Sequence, residues 1–347
     1  MTERSAVRAL VAAAKSLAAD RTSIAAAIAE STGLSRENVE LALAEHLETD
    51  PTDEELDQLF ASASTMTAPR VAVVLSANVF VGALRAIAFA RACAPHVTVR
   101  PSRRDPTFAR ALVEAVDDRS IVLDEALDVA TVREGEIHVY GRDDTIADVR
   151  ARAKVPVRGH GSGMGLAAIS EHADLERAAN ELARDVVIFD QRGCLSPRIA
   201  FVLGDDARGA AFADALHEAL ERLEDTVPRG AVPAEERAAA GRYLATMTVA
   251  SRALVGRAHG IGVAPLDAPL LLPPPYRHVH VAPVRGPDAA ARLAAPYARA
   301  LTTIGGDDGP LRAALASALA IRVRSAALGR MQRPPLDGPV DLRDLGR

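Results

Sequence analysis

Short apolar runs alternate with helical patterns along most of the chain, and this alternation restricts the possible folds more than any other feature. Residues 71–75 (VAVVL) form a continuous apolar run of the kind found in buried parallel strands. A helical pattern follows over 79–93, and a second strand pattern over 97–99. The alternation continues to residue 152. It predicts an α/β domain in which a doubly wound parallel sheet carries helices on both faces.

The same alternation restarts after a glycine-rich string, GHGSG at 159–163, so we expect a second α/β domain. Its expected helices cover 175–185, 209–223, 233–256 and 311–328, and its expected strands cover the apolar run 186–189 and residues 278–281. Helical patterns also precede the first domain, over 5–48 and 53–63. We therefore divide the chain into a helical N-terminal segment (1–66), two α/β domains (67–160 and 161–330) and a C-terminal tail (331–347).

The composition fits this division and excludes several classes of partner. The 347 residues are 49% hydrophobic, enough for roughly two globular domains. A net charge of −5 argues against a nucleic-acid or membrane surface. No run of about 18 uncharged apolar residues occurs, so we expect no membrane span, and the N-terminus lacks the pattern of a secretory signal. We therefore expect a cytoplasmic location.

Only two cysteines occur, Cys93 and Cys194, which argues against a disulfide framework. Cys93 lies on an apolar helical face and is expected to pack in the core. Cys194 follows a glycine in the string FDQRGCLSP (189–197), after an expected buried strand, in a segment that Pro197 keeps from being helical. A thiol in such a loop can face a cleft and attack as the thiolate. From this context alone, a reactive nucleophile and a small buried hydrophobic residue stay open as interpretations.

The string around Cys194 resembles the nucleophile segment of the LuxC family of fatty acyl-CoA reductases, a branch of the aldehyde dehydrogenase superfamily. The resemblance runs from about Val71 to Gly338. It implies an aldehyde dehydrogenase-like fold with a dinucleotide-binding domain over 67–160 and a catalytic domain over 161–330. It also implies that Cys194 is the covalent nucleophile.

A second string, VLSAN at 74–78, resembles the superfamily's strand that ends in an oxyanion-hole asparagine, which assigns that role to Asn78. Attack on a thioester carbon builds negative charge on its oxygen, and Asn78 together with the N–H of Cys194 would hold that charge. The other interpretation is that Asn78 only caps the following helix.

Residues 97–106 (VTVRPSRRDP) resemble the strand and turn that bind the adenosine ribose of the cofactor, which implies cofactor contacts for Arg100, Ser102 and Arg103. Arg103 stands where an acidic residue often holds the ribose hydroxyls. Because an Arg pairs with a 2′-phosphate whereas a carboxylate repels one, NADP(H) is favoured over NAD(H). A solvated basic turn is the other interpretation.

The string VYGRDD at 139–144 resembles the turn beside the cofactor pyrophosphate. The resemblance implies a close backbone approach at Gly141 and a contact by Arg142, which replaces the usual Ser. Near the other end of the chain, GRMQRPPLDG at 329–338 partly resembles the family's C-terminal signature, with Leu336 where a His is common.

The glycine-rich string lies about 34 residues before Cys194, where hydrolytic aldehyde dehydrogenases carry a Glu that activates water. No Glu is present here, which suits a reductase that must keep its acyl-enzyme from water. His160 in this string is a candidate proton donor or CoA-phosphate contact, and the other interpretation is an ordinary polar loop residue. His278 and His280 share a face of an expected strand without a third ligand nearby, so we expect no metal site.

The resemblance implies a reaction in which the Cys194 thiolate attacks an acyl thioester such as acyl-CoA. The thiol departs, NADPH supplies hydride to the acyl carbon, and an aldehyde is released. Homo-oligomers are usual in the superfamily. Two alternatives stay open: an aldehyde or semialdehyde dehydrogenase working oxidatively, and a catalytically inactive partner subunit of the same fold.

Overall fold

The computed structural model describes residues 2–343 and contains two compact units. The first unit comprises the chain up to Ser162 and resumes at Pro335, and the second is Gly163–Pro334. The sequence placed the corresponding limits at 160 and 330. No helix among the described residues is both long and apolar enough to cross a membrane.

Short helices precede the first sheet, as the sequence predicts. They are α1 (Glu3–Ala19), α2 (Arg21–Thr32), α3 (Arg36–Leu41), a π-helical turn (Ala42–His46) and α4 (Asp53–Ser64). α4 begins with a capping box: Glu55 N donates to the Thr52 hydroxyl at 3.1 Å, and Thr52 N donates to the Glu55 carboxylate at 3.2 Å. Such caps satisfy backbone donors that have no partner inside the helix.

The first unit is built on a five-stranded parallel sheet. Its elements are β1 (Arg70–Val74), α5 (Gly82–Cys93), β2 (His96–Arg100), α6 (Thr107–Val116), β3 (Ile121–Leu123), β4 (Glu136–Tyr140), α7 (Asp143–Arg152) and β5 (Val157–His160). The strand order is β3-β2-β1-β4-β5. Because the order reverses between β1 and β4, this is the predicted doubly wound sheet, with its switch point between those two strands.

The second unit contains a seven-stranded sheet. Its elements are β6 (Met164–Ile169), α8 (Leu175–Val187), β7 (Pro197–Leu203), α9 (Asp206–Thr226), α10 (Ala234–Ala250), β8 (Arg252–Val255), β9 (Gly260–Val263), β10 (His278–Val284), α11 (Pro287–Ala294), β11 (Leu301–Gly306), α12 (Gly309–Ala318) and β12 (Arg324–Ala326). The strand order is β12-β11-β6-β7-β10-β9-β8. β8 pairs antiparallel with β9, and the other described pairs are parallel.

A continuous apolar core joins one face of the second sheet to α11 and α12. Leu166, Phe201 and Ile304 point from the strands into this core, where they meet Ala290 and Leu315 of the helices. Fully burying one such Leu, Ile or Phe side chain contributes about 1.5–3 kcal/mol. This core fixes the strands whose amino ends carry the segment around Cys194.

Three predicted elements of the second unit are wrong. The helix predicted over 233–256 ends at Ala250, and β8 (Arg252–Val255) follows it. The apolar run 186–189 is not a strand: α8 continues to Val187, and a 3₁₀ turn follows over Ile188–Gln191. A short apolar run does not distinguish a buried strand from a buried helix end. The strand lies after Cys194, as β7. The helix predicted over 311–328 ends at Ala318, and Ala320 adopts a left-handed φ of 51° before β12.

The segment predicted as a tail packs on the first unit through Arg85 of α5. The Arg85 guanidinium is buried and lies 2.7 Å from Glu48 Oε1. It also donates to the carbonyls of Gly338 at 2.8 Å and Pro335 at 2.7 Å. A buried cation is tolerated only when paired and hydrogen-bonded, so Arg85 holds the returning chain against α5.

Candidate active site

Cys194 lies in the loop that connects the 3₁₀ turn to β7, and it is partly buried. Two neighbouring strands hold this loop through its backbone. Gly165 N of β6 donates to Ser196 O at 2.7 Å, and the Thr302 hydroxyl of β11 donates to the carbonyl of Cys194 itself. A Cβ at Gly165 would lie 2.4 Å from Leu195 O, so only glycine permits this approach. The thiol is therefore carried on a fixed backbone.

The chain enters this loop through three successive residues in the left-handed region. Phe189, Asp190 and Gln191 have φ values of 54°, 49° and 59°. Left-handed backbone costs a residue other than glycine about 1–2 kcal/mol. All three side chains are buried. Such strain persists only where surrounding contacts outweigh it, and it is concentrated at functional sites.

Gln191 supplies part of the compensation by linking β7 and β10. Its Nε2 donates to Pro197 O at 2.6 Å and to His278 O at 2.8 Å. Its Oε1 accepts from His278 N at 2.9 Å. The amide group thus stands in for backbone pairing between two strands whose ends have diverged. The loop with Cys194 leaves from this fixed point.

Asp190 supplies the rest through a buried ion pair. Its Oδ1 lies 2.7 Å from Arg277 Nη2 and accepts from Nε at 2.9 Å, while its Oδ2 accepts from Gly230 N at 3.0 Å. Arg277 also pairs with Glu224 of α9 at 2.7 Å. Asp190 and Arg277 are each only 1% exposed, so the pair is desolvated and its geometry is specific.

In the first unit, Asn78 lies in the loop that follows β1, at the carboxyl edge beside the switch point. Its side chain is exposed. The helix that follows has Val81 as its N-cap and receives no side-chain cap, so the capping interpretation of Asn78 is wrong. Ligands of doubly wound sheets bind at this edge.

Arg100, Ser102 and Arg103 lie at the same edge, where β2 ends. Arg100 is half-buried and donates to Leu127 O at 3.1 Å, and burial together with nearby Arg103 lowers its pKa. Ser102 begins a tight turn and accepts from Arg104 N at 3.3 Å. Arg103 is exposed at the tip of this turn. The turn therefore presents positive charge to solvent.

Asp105 closes this turn but faces inward. It is buried, and its Oδ1 accepts from the Ser31 hydroxyl at 3.1 Å. The carboxylate is therefore directed away from the turn's exposed cationic side. A 2′-phosphate beside Arg103 would meet no acidic side chain of this turn.

Gly141 and Arg142 follow β4 on the other side of the switch point. Gly141 N donates to His160 O at 3.2 Å, and Arg142 is the extended N-cap of α7. The first turn of α7 carries Asp143 and Asp144. Two carboxylates at a helix amino end oppose a phosphate there. The turn thus offers a cation in Arg142 but a helix end that does not fit a pyrophosphate.

His160 is not in a loop, because it ends β5. Its ring stacks on Tyr140 with centroids 4.3 Å apart, and its Nε2 is buried without a hydrogen-bonding partner among the described residues. Burial, with a smaller contribution from His138, lowers the pKa of His160 to about 3. With this pKa the imidazole is neutral at physiological pH, which argues against the interpretation of His160 as a CoA-phosphate contact.

The other residues singled out in the sequence are structural. Cys93 is buried, which raises the pKa of its thiol to about 12, so the prediction of core packing is confirmed. His278 and His280 are buried on β10, with His280 Nδ1 3.0 Å from the Tyr243 hydroxyl. Sequence reasoning missed the roles of Asp190 and Gln191, although both stand in the string that carries Cys194.

Comparison with known proteins agrees with the fold and the motif. A sequence model of the acyl-CoA reductase (LuxC) family matches residues 8–347. Among curated proteins, the chain is 26% identical over 174 residues to long-chain acyl-protein thioester reductase 2 of Photobacterium leiognathi. That alignment covers 45% of this chain and 35% of the relative, so the chain spans about a third of the length of the relative it matches.

Solved structures of aldehyde dehydrogenases share the fold at low sequence identity. Methylmalonate-semialdehyde dehydrogenase from Oceanimonas doudoroffii has a TM-score of 0.70 at 14% identity, covering 96% of this chain and 79% of its own. A Mycobacterium tuberculosis aldehyde dehydrogenase, solved with NAD⁺, has a TM-score of 0.68 at 16% identity, covering 95% and 78%. With the family match over nearly its whole length, the chain belongs to the LuxC family of acyl-CoA reductases.

Proposed function

We propose that this protein reduces an acyl thioester to an aldehyde, with NADPH as reductant and Cys194 as the covalent nucleophile. The observation that carries the proposal is the loop around Cys194. A partly buried thiol stands on a backbone held by Gly165 and Thr302, directly after a strained turn clamped by Gln191. A core cysteine needs no such arrangement, whereas a nucleophile must be held at a fixed position.

The residues of this chain act at two points of the reaction. The Cys194 thiolate attacks the acyl carbon, a C–S bond forms, and the carbonyl oxygen becomes negative. The thiol leaving group takes the electron pair of its own C–S bond and is released after protonation, leaving an acyl-enzyme. Asn78 and the Cys194 amide would donate to the oxygen at this stage and again in the thiohemiacetal. Collapse of the thiohemiacetal breaks the bond between Cys194 sulfur and the former acyl carbon, which returns the thiolate and releases the aldehyde. Loss of one such donor typically lowers the rate about 10²–10³-fold.

The first unit supplies the groups that would hold the cofactor. When bound, NADPH supplies the hydride that reduces the acyl-enzyme. The exposed turn at Arg103 fits the 2′-phosphate, because Asp105 faces inward. Arg142 would contact the phosphates as the cation of this turn, beside the two carboxylates of the first turn of α7. His160 is left out of the proposed mechanism because its imidazole is buried and neutral.

The glycine-rich string supports reduction rather than hydrolysis. Residues 157–163 contain no carboxylate that could activate water beside the acyl-enzyme. This argues against a hydrolytic dehydrogenase, but not against an oxidative reaction that passes the acyl group to an acceptor other than water. One observation favours the other alternative, an inactive partner subunit: the two carboxylates at the amino end of α7, where the resemblance places a pyrophosphate.

The test is NADPH oxidation with acyl-CoAs from two to sixteen carbons, in wild type, Cys194→Ala and Cys93→Ala. We expect consumption of NADPH, aldehyde formation, and loss of both in Cys194→Ala alone. Trapping of the acyl-enzyme without NADPH, detected by mass spectrometry, would identify the residue that is acylated. Absence of turnover together with absence of NADPH binding would favour the inactive subunit instead.

A further inference from the structure

Three side chains of the second unit that the proposed reaction does not use converge at one place: His217, Glu221 and His259. His217 and Glu221 are four residues apart on α9 and therefore share a face of that helix. His259 directly precedes β9, which packs against α9. Each offers one ligand atom, and the three atoms lie within 4.8 Å of one another.

The two imidazoles already face each other. His259 Nε2 lies 2.9 Å from His217 Nδ1, and His259 Nδ1 lies 3.7 Å from Glu221 Oε1. Ligand atoms of a tetrahedral zinc ion, each about 2.0–2.1 Å from the metal, are about 3.3 Å apart. One ion binds a single nitrogen of His259. The ligand atoms, which lie within 4.8 Å of one another, must therefore approach by about 1.5 Å to bind the same ion. His217 is only partly buried, so a rotamer change of its side chain is the movement that would bring the ligand atoms together.

Arg257 holds the Glu221 carboxylate with two hydrogen bonds, and the carboxylate can accept further bonds. Arg257 Nε donates to its Oε2 at 2.6 Å, and Arg257 N donates to its Oε1 at 2.8 Å. A carboxylate oxygen accepts two bonds, so Oε1 keeps a lone pair for a metal ion. Hydrogen bonds that orient a ligating carboxylate are typical of metal sites.

The backbone of Gly256 packs closely against Glu221 and His259. A Cβ there would lie 2.3 Å from Glu221 Oε1 and 2.5 Å from His259 Nδ1. Only glycine permits its backbone to approach these side chains so closely, so Gly256 helps to hold Glu221 and His259 in place.

We propose that His217, Glu221 and His259 form a binding site for a divalent transition-metal ion of the zinc type. Two imidazole nitrogens and one carboxylate oxygen suit Zn²⁺ and its neighbours, whereas Ca²⁺ and Mg²⁺ require oxygen ligands throughout. The ion would join α9 to the amino end of β9. The site is independent of the proposed reaction, because its residues lie outside the segment that carries Cys194.

The test is calorimetric titration of Zn²⁺ into the tag-free, chelator-treated full chain, comparing wild type with His217→Ala, Glu221→Gln and His172→Ala. His172 is an exposed histidine of the same unit and serves as the matched control. We expect one ion per chain in wild type and His172→Ala. Removal of His217 should weaken binding by more than about tenfold, a loss that even outer-shell partners of metals can cause.

Thermal unfolding gives a second readout that does not depend on activity. Zn²⁺ should raise the Tm of wild type and His172→Ala, but not that of His217→Ala. If His217→Ala fails to fold, Glu221→Gln carries the comparison. Wild-type protein that binds no ion at a one-to-one ratio, or binding that is equal in all four proteins, would show that the cluster is only a hydrogen-bonded histidine pair.

Discussion

Among single residues, exposure distinguishes side chains that can reach a ligand from those that hold the chain. Asn78 and Arg103 are exposed where parallel strands end, and neither is needed by the fold around it. Asp190 and Gln191 are buried and make hydrogen bonds to other groups of the protein. Substitutions at the two kinds of position should therefore separate activity from stability.

Asn78→Ala is expected to lower kcat about 10²–10³-fold through the loss of one oxyanion donor. Its Tm should stay that of wild type, because Asn78 caps no helix and Val81 is the N-cap of α5. Steady-state kinetics and thermal unfolding of the same preparation make the comparison. An unchanged kcat together with a reduced Tm would show that Asn78 stabilises the fold and is not an oxyanion donor.

Arg103→Ala is expected to weaken NADPH binding about tenfold to a hundredfold while leaving NADH binding nearly unchanged, because only NADPH carries the 2′-phosphate. Arg104→Ala is the matched control, since Arg104 is the exposed neighbour in the same turn. Fluorescence titration with both nucleotides measures the preference. Equal losses for NADPH and NADH, or equal effects of the two variants, would contradict a specific phosphate contact.

At the scale of elements, the sequence identified the first sheet better than the second. β1 and β4 are short apolar or alternating segments followed by helical patterns, which sequence periodicity detects. β6 (MGLAAI) and β9 (GIGV) were missed because Gly and Ala have low strand propensity, whereas β7 (PRIAFVL) and β11 (LTTIGG) were missed although they contain residues that favour strands. These segments become strands because neighbours pair with them, which is tertiary information.

The segment around Cys194 shows the same limit. The motif singled out Cys194, but the run before it was taken for a strand, so the strained turn could not be predicted. Asp190 and Arg277 are 87 positions apart, and no local pattern relates them. Arg277, which directly precedes β10, pairs with Asp190 of this turn and with Glu224 of α9. The geometry of the turn therefore depends on contacts between distant parts of the chain.

Gln191→Glu tests whether this turn positions the nucleophile. The variant keeps the acceptor for His278 N but loses the donors to Pro197 O and His278 O, so we expect a loss of about 2–4 kcal/mol in unfolding free energy. The rate of Cys194 alkylation by iodoacetamide should change as well. Protonation of the new carboxyl restores one donor, so the deficit should shrink as pH falls. A deficit in stability with unaltered alkylation kinetics would make the turn merely structural.

Arg85→Ala should destabilise the first unit by about 3–5 kcal/mol, because it leaves Glu48 and two carbonyls of the returning chain without their buried partner. Arg110→Ala removes an exposed pair with Glu125 and should leave the free energy of unfolding nearly unchanged. Urea unfolding measures both, and limited proteolysis reports release of the segment after Pro335. Similar losses in the two variants would show that the buried pair holds nothing in place.

At the scale of the whole molecule, each unit carries its own part of the proposed chemistry and its own sheet. The first has the edge with Asn78 and Arg103, and the second has Cys194, the proposed nucleophile. Each unit also buries a neutral histidine: the pKa of His160 is lowered to about 3, and burial lowers that of His280 to about 4. Acid should therefore destabilise both units.

The direction in which pH changes the free energy of unfolding follows from the linkage between proton binding and folding. A histidine with a lowered pKa in the folded state binds fewer protons than in the unfolded chain, so its stabilisation is complete above pH 6.5 and decreases by about 1.4 kcal/mol per unit as pH falls toward the folded value. Asp185 acts oppositely, since burial raises its pKa to about 7. We expect urea unfolding at pH 7 and pH 5 to show a net loss that His160→Asn or His280→Asn reduces and His172→Asn does not. Parallel pH profiles for all four proteins would mean that these imidazoles have the same pKa in the folded and unfolded states. The acid sensitivity would then come from other groups.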